Sequence, residues 1–284
     1  MTRTQFLLCT DLDRTLLPNG AQPESPTARR RFQALAVHPE VTLVYVTGRD
    51  RQRVERAIVN YRLPRPQFVI SDVGTNIYDL RQDGWQVWQR WLEEIAPDWD
   101  GFDHQRLSRL LSGFSDLRLQ EVSKQNTFKL SYYVPLHVNR SALDQALSDC
   151  LQEHQVDASL IWSVDEPAGI GLLDVLPKRA TKLHALEFLQ SFLGVPLEQT
   201  LFAGDSGNDL PVLASEIPAV LVANAMPSVA QEAFAAAVAA GHRNALYLAK
   251  GGFLDMNGNY SAGILEGVAH YHPELLELFS DPNP

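Results

Sequence analysis

Short apolar runs alternate along this chain with longer stretches whose apolar positions recur every three or four residues. The runs at 6–10, 41–46, 68–71, 200–203 and 219–222 are almost wholly apolar or β-branched, which predicts strands buried on both faces. Between them the helical period dominates. Thr27 is placed to cap a helix running to about Val37; Val54, Ala57, Ile58 and Tyr61 share one helix face; so do Leu183, Leu186, Leu189 and Leu193. An alanine-rich helix is predicted over 227–240, and Ser261 opens a last one carrying Ile264, Leu265, Val268 and Tyr271. Asn19, Gly20 and several prolines mark 13–26 as a loop, and Pro64 and Pro66 stop the second helix. Strands that alternate with helices predict a doubly wound parallel sheet.

Near residue 80 the pattern changes. Ile77-Tyr78 and Trp85-Gln86-Val87-Trp88 flank Asp83-Gly84, a hairpin signal. A helix with Leu107, Leu110, Leu111 and Phe114 on one face follows, then strands at 117–122 and 128–134. Ser141-Ala142-Leu143-Asp144 has capping-box spacing and precedes a helix aligned on Leu143, Ala146, Leu147, Cys150 and Leu151. Strands at 160–164 and 170–176 complete a small sheet with two helices. The expected fold is therefore α/β: a doubly wound, Rossmann-like core at 1–80 and 175–284, with a smaller α/β cap domain inserted at 81–174. The ending Asp281-Pro282-Asn283-Pro284 is expected to fray.

Composition narrows the class. With 284 residues, 45% hydrophobic and 20% charged, the chain has the make-up of a soluble globular protein with room for a substantial core. A formal net charge of −10 argues against nucleic acid or an anionic membrane as partner. Ala28-Arg29-Arg30-Arg31 reads as one helix face. Two distant cysteines, Cys9 and Cys150, imply neither a disulfide framework nor a zinc cluster. With no secretory-signal pattern at the amino terminus and no membrane-length apolar run, a cytoplasmic location is expected.

The chemistry gathers at strand ends. The first strand stops at Asp11 and Asp13, one residue apart, where open parallel sheets bind ligands. Two converging acids repel each other unless a cation lies between them; oxygen ligands and a phosphate substrate point to Mg2+. Alone, Asp-x-Asp is a turn and helix-entry signal. Three further signals follow it: Thr47-Gly48-Arg49, Lys182 within Arg179-Ala180-Thr181-Lys182, and Gly204-Asp205-Ser206-Gly207-Asn208-Asp209. In that order they resemble the four motifs of the haloacid-dehalogenase superfamily of phosphatases, over nearly the whole chain.

That resemblance implies roles. Asp11 would be the nucleophile, forming an aspartyl phosphate. Asp13 would protonate the leaving alcohol and then take a proton from the water that cleaves the intermediate. The Thr47 hydroxyl and the Gly48 N–H would bind phosphoryl oxygens, and Asn208 would orient them. Lys182, with Lys178 as its nearest competitor in sequence, would neutralise charge shared by Asp11 and the phosphate. Asp11, the backbone carbonyl of Asp13, Asp205 directly and Asp209 directly or through water would hold Mg2+. Arg49 can either reach the substrate or cap the edge of the site. Asn224 is a candidate support for the phosphate pocket. His270-x-His272 lacks further ligands of suitable spacing and reads as surface, and Trp85, Trp88, Trp91 and Trp99 read as packing.

An α/β insert between the second and third motifs resembles the type IIB capped sugar phosphatases, and most of all the sucrose-phosphate phosphatase group with its mannosylfructose-phosphate relatives. The segments concerned are Val73-Gly74-Thr75-Asn76-Ile77-Tyr78, Phe128-Lys129-Leu130-Ser131-Tyr132, Leu173-Asp174-Val175-Leu176-Pro177 and Ser261 through His270. They imply a disaccharide phosphate held between cap and core, with Arg49, Lys129, Ser131, Tyr132 and Asp174 as candidate sugar contacts. The chain departs from the group at Gly171-Leu172-Leu173-Asp174, which keeps only the last acid of a Lys-Asp-x-Asp stretch, and at Arg14, where many relatives carry glycine or asparagine. The resemblance implies a Mg2+-dependent phosphatase for sucrose 6-phosphate; a monomer is expected. The alternatives are mannosylfructose phosphate or a glycosyl-glycerate phosphate as substrate, or a silent sugar-phosphate sensor partnering a sucrose-phosphate-synthase-like glycosyltransferase. An intact nucleophile and acid argue against silence.

Overall fold

A computed structural model of the chain describes residues 6–165 and 168–280; the ending expected to fray lies outside them. The chain opens with β1 (Phe6–Thr10), α1 (Ala28–Ala36), β2 (Val41–Val46), α2 (Arg51–Tyr61), β3 (Phe68–Ser71), β4 (Asn76–Asp79) and β5 (Gln86–Val87). It continues with α3 (Gln89–Ile95), α4 (His104–Leu110), β6 (Arg118–Leu119), β7 (Leu130–Val134), α5 (Arg140–Glu153), β8 (Ala158–Asp165) and β9 (Ile170–Pro177). The last part holds α6 (Lys182–Leu193), β10 (Thr200–Gly204), α7 (Leu210–Leu213), β11 (Ala219–Leu221), α8 (Pro227–Ala240), β12 (Leu246–Leu248) and α9 (Ser261–Tyr271).

The chain divides into two compact units, one formed by residues up to Val87 and from Lys182 onward, the other by Trp88–Thr181. In the larger unit eight strands lie in the order β12-β11-β10-β1-β2-β3-β4-β5. The run from β12 to β3 is parallel, and β4 and β5 are added antiparallel. β1 sits centrally, and all five of its residues are buried. One face packs Leu8, Tyr45, Val69 and Val220 against Phe32 and Leu35 of α1 and Ile264, Leu265 and Val268 of α9. Each such aliphatic or aromatic side chain stabilises by about 1.5–3 kcal/mol when removed from water. Burial on both faces explains the continuous apolar runs, and it leaves the strand ends as the places where polar chemistry can gather.

The smaller unit is an antiparallel sheet, β6-β7-β9-β8. Leu130, Tyr132 and Val134 of β7 and Leu173 and Val175 of β9 join Leu143, Leu147 and Leu151 of α5 in one core. Strand alternation turns Ser131 and Asp174, which are cross-strand partners, to the other face.

Several expectations need correction. The hairpin around Asp83-Gly84 forms, but β4 and β5 extend the large sheet, so the smaller unit begins and ends a few residues later than 81–174. Thr27 stands at the α1 N-cap without capping it; its hydroxyl lies 3.5 Å from Arg31 Nε instead. The Ser141 capping box does not form, because Asn139 starts the helix two residues earlier by accepting from Ala142 N–H, and Asp144 accepts from Trp162 Nε1 at 2.7 Å. The strand expected over 117–122 shrinks to β6 before a 3₁₀ turn at Val122–Lys124. Helix α3 and strand β12 have no counterpart in the sequence reading. Among the described residues, no helix is long and apolar enough to cross a membrane.

Candidate active site

The carboxyl ends of β1, β2 and β10 bring the first, second and fourth motifs together, and the first residue of α6 supplies Lys182. Asp11 follows β1, and its N–H donates to the Ala203 carbonyl of β10 at 2.9 Å, tying the two strand ends to each other. Lys182 is 2% exposed, and its Nζ donates to Asp11 Oδ1 at 2.8 Å, Asp209 Oδ1 at 2.8 Å and Asn208 Oδ1 at 3.1 Å. Lys178 is exposed and has no part in this.

The turn after β10 is built around Asp209. Its Oδ2 accepts from the N–H groups of Asp205 and Ser206, both at 3.1 Å, and from Ser206 Oγ at 3.2 Å, a reciprocal capping arrangement. Gly204 makes room for it: a Cβ there would stand 2.7 Å from Asp209 Cγ. Gly204→Ala is expected to displace that carboxylate and cost both stability and activity, read as a lower melting temperature and at least a tenfold loss of kcat.

One oxygen in this group remains open. Asp11 Oδ2 takes no hydrogen bond among the described residues, whereas Asp205 Oδ1 accepts from Thr15 Oγ1 at 3.1 Å and its Oδ2 lies 3.6 Å from Arg14 Nε. Oxygens of Asp11, Asp205 and Asp209 lie within 4.8 Å of one another, all three residues buried. Burial pushes the Asp11 carboxyl up to about 7, against the pull of Lys182, with Asp209 and Asp205 adding to the rise. Burial, with Asp209, likewise raises Asp205 to about 6. For Lys182, burial works against the charged form, but Asp11 and Asp209 outweigh it and raise its pKa. Three buried acids around one ammonium leave excess negative charge, and an all-oxygen donor set with open positions fits a hard divalent cation.

Asp13 stands apart from those three acids. Arg49 grips it with two bonds, Nε to Oδ2 at 2.7 Å and Nη2 to Oδ1 at 2.6 Å, and Asn19 Nδ2 donates to Oδ1 at 2.7 Å. Burial raises its pKa, but the Arg49 hydrogen bonds and charge carry it below the usual carboxylate value. Arg49 thus lies at the edge of the site, paired with an acid. Thr47 is buried, its Oγ1 accepting from Arg49 N–H at 3.2 Å, and Gly48 is exposed beside it. Asn224 Nδ2 donates to the Arg14 carbonyl at 2.6 Å, placing it behind the first motif.

In the smaller unit, Ser131 Oγ donates to Asp174 Oδ1 at 2.5 Å and Lys129 Nζ lies 3.6 Å from Asp174 Oδ2. Tyr132 does not join them. It is packed in the unit's core on the opposite face of β7, because adjacent strand residues point to opposite sides. Thr15, Asn19 and Ser206 are the residues that sequence reasoning missed. Their only signal was membership of the loops carrying the first and fourth motifs.

The model of the sucrose-6F-phosphate phosphohydrolase family matches residues 4–272. The chain belongs to this family. A Nitrosococcus oceani protein named no more closely than a HAD-like hydrolase is 52% identical over 272 residues, 96% of this chain and 73% of that one. The mannosylfructose-phosphate phosphatase of Agrobacterium fabrum is 26% identical over 270 residues, 93% of this chain and 96% of its own length. Among solved structures, the sucrose-phosphatase of a Synechocystis species, in complex with sucrose and phosphate, superposes with a TM-score of 0.70 at 26% identity, covering 94% of this chain and 98% of that one. The fold is the mixed α/β fold of haloacid-dehalogenase phosphatases, and the chain is a phosphoric monoester hydrolase.

Proposed function

We propose that this chain hydrolyses a phosphorylated disaccharide, sucrose 6-phosphate before others, through an aspartyl phosphate on Asp11 and with Mg2+. The observation that carries the reading is the state of Asp11: buried at the end of the central strand, one oxygen held by Lys182, the other open. Asp11 Oδ2 attacks phosphorus as the ester P–O bond breaks, and the leaving alcohol takes a proton from Asp13. Water then attacks phosphorus, gives a proton to Asp13 and releases phosphate, restoring the Asp11 carboxylate. Asp11, through the oxygen that does not attack, and Asp205 would hold Mg2+, while the occupied oxygens of Asp209 suit contact through water. When bound, Mg2+ supplies charge neutralisation at the phosphoryl oxygens.

Asp13 can donate a proton only after Arg49 lets go, since the pair keeps it ionised. A substrate phosphate is a strong competing partner for a guanidinium. Asn19 then holds Asp13 in place. Asn19→Ala is expected to slow hydrolysis of alkyl phosphates about tenfold more than that of p-nitrophenyl phosphate, whose leaving group needs little protonation. Equal slowing of both would remove Asn19 from the proton-transfer step.

Disaccharide specificity is supported by the family match and by the polar group of Lys129, Ser131 and Asp174, whose chemistry suits sugar hydroxyls. Phosphate release from sucrose 6-phosphate, mannosylfructose phosphate, trehalose 6-phosphate, glucose 6-phosphate and fructose 6-phosphate tests it. A preference of at least tenfold in kcat/KM for sucrose 6-phosphate, abolished by EDTA, is expected. A stronger preference for another of these moves the substrate, and activity untouched by EDTA removes the metal. Because Asp11 and Asp205 titrate near 7 and 6 without a cation, Mg2+ uptake is expected to release protons and to tighten as pH rises from 5.5 to 7.5, measured by calorimetry in two buffers.

A further inference from the structure

Asn224, in the turn after β11, is 3% exposed and commits both ends of its amide to backbone. Its Nδ2 donates to the Arg14 carbonyl at 2.6 Å, and its Oδ1 accepts from Tyr260 N–H at 2.8 Å. A buried amide held at both ends has one orientation.

The residue it holds is unusual. Arg14 has a φ of 59°, left-handed, where the Cβ of an arginine is crowded. Its N–H donates to Asn19 Oδ1 at 2.8 Å, and Asn19 Nδ2 donates to Asp13 Oδ1 at 2.7 Å. Asn19 therefore takes its orientation from Arg14 and passes it to the proposed acid. Tyr260, fully buried, fixes the far side of the same loop. Its hydroxyl donates to the Gln22 carbonyl at 3.1 Å, and a Cβ on Gly20 would stand 2.8 Å from that hydroxyl oxygen. Tyr260 is itself held at φ 52° and ψ −130°. Residues 14–22 thus hang between Asn224 and Tyr260, which are bonded to each other. Strain of this kind persists only where the surroundings enforce it, and it gathers at functional sites.

The arrangement matters because Asp13 must change partners. Arg49 holds it by two bonds and has to release it before it can donate a proton. Asn19 is then its remaining hydrogen-bond partner among the described residues. An amide that drifted with a loose loop would leave the carboxyl many orientations, few of them in line with the leaving oxygen.

We propose that Asn224 is a positioning residue for proton transfer by Asp13: by holding Arg14 in the left-handed conformation it aims Asn19, and through Asn19 the acid. The inference rests on the phosphatase reading above and deepens it at the same site.

The test compares kcat/KM for the best sugar phosphate, an alkyl phosphate, with that for p-nitrophenyl phosphate, using the full-length protein with Mg2+. kcat/KM covers the step in which the alcohol leaves, and nitrophenolate leaves with little help from an acid. Asn224→Ala is expected to lower the sugar-phosphate value about thirtyfold and the nitrophenyl value by no more than about threefold. A loss of folded protein would lower both alike, so the ratio separates positioning from stability. Arg14→Gly provides the second arm, because glycine takes the left-handed conformation without being held. In that background Asn224→Ala is expected to change the ratio by no more than about threefold. Removing the arginine's charge beside Asp205 would move both substrates alike. Equal losses on the two substrates, or a full change of ratio that persists with Arg14→Gly, overturn the proposal. Should Asn224→Ala fail to fold, Asn224→Asp gives the same comparison, since it keeps the oxygen for Tyr260 and loses the donor to Arg14. An unmutated protein that releases phosphate from neither substrate overturns the phosphatase reading, and this proposal with it.

Discussion

Asp11→Asn is expected to reduce phosphate release by about ten-thousand-fold or more, the scale seen when a covalent nucleophile is removed. An amide cannot form the aspartyl phosphate, so more substrate or Mg2+ will not restore the rate. The same substitution is expected to stabilise the metal-free protein. Asp11 has a folded pKa of about 7, raised first by burial and against Lys182. For an acid raised in this way, folding is favoured while the group is protonated. The advantage is lost as pH climbs from the unfolded value, near 4, through about 7. Above pH 7 in EDTA a neutral isostere escapes that loss, so Asp11→Asn should melt at a higher temperature than the unmutated chain, and at pH 5 the gap should narrow. A variant that is inactive and also less stable at pH 8 would point to a structural role for the carboxylate.

Lys182→Met carries the second large effect. The ammonium is the partner shared by Asp11 and Asp209, and it is almost wholly buried. Removing one member of a buried ionic group costs about 3–5 kcal/mol because the others stay desolvated and unpaired. The loss should be full at pH 8 in EDTA and partly recovered at pH 5.5, where the abandoned Asp11 takes up a proton. Denaturant unfolding at the two pH values reads this directly. Turnover should fall about a hundredfold or more, since Lys182 would also neutralise the phosphoryl group. Unchanged stability at pH 8 would mean that water or relaxation already screens the cluster.

The sequence exposed this site because its chemistry needs particular residue types at the ends of apolar runs. β1, β2 and β3 begin and end where the runs do, and Asp11, Thr47 and Asp205 fall just past strands or at their last residues. Lys182 was legible only through its match to a motif, since nothing local separates it from exposed Lys178. Contacts made by loop closure were not legible. Asn19 reads as loop punctuation, yet it bonds Asp13 and Arg14; Thr15 reaches Asp205 across 190 residues of chain. Tyr132 was misplaced because a sequence segment gives its residues together, whereas a strand sends alternate ones to opposite faces. Asn139 and Ser141 both suit an N-cap, and the choice between them was made by packing: Asp144 is taken by Trp162. β12, three residues long, is too short to show a period.

The covalent role of Asp11 is the centre of this account, and acid quenching of a working enzyme tests it most directly. The protein carrying Asp13→Asn, mixed with Mg2+ and its best sugar phosphate and quenched within the first turnover, should yield a phosphorylated peptide. Mass spectrometry should place the phosphoryl group on Asp11, with more of it than in the unmutated enzyme because the water-activating group is gone. Phosphate appearing in solution with no phosphoryl group on any residue, or with one on a residue other than Asp11, would contradict it.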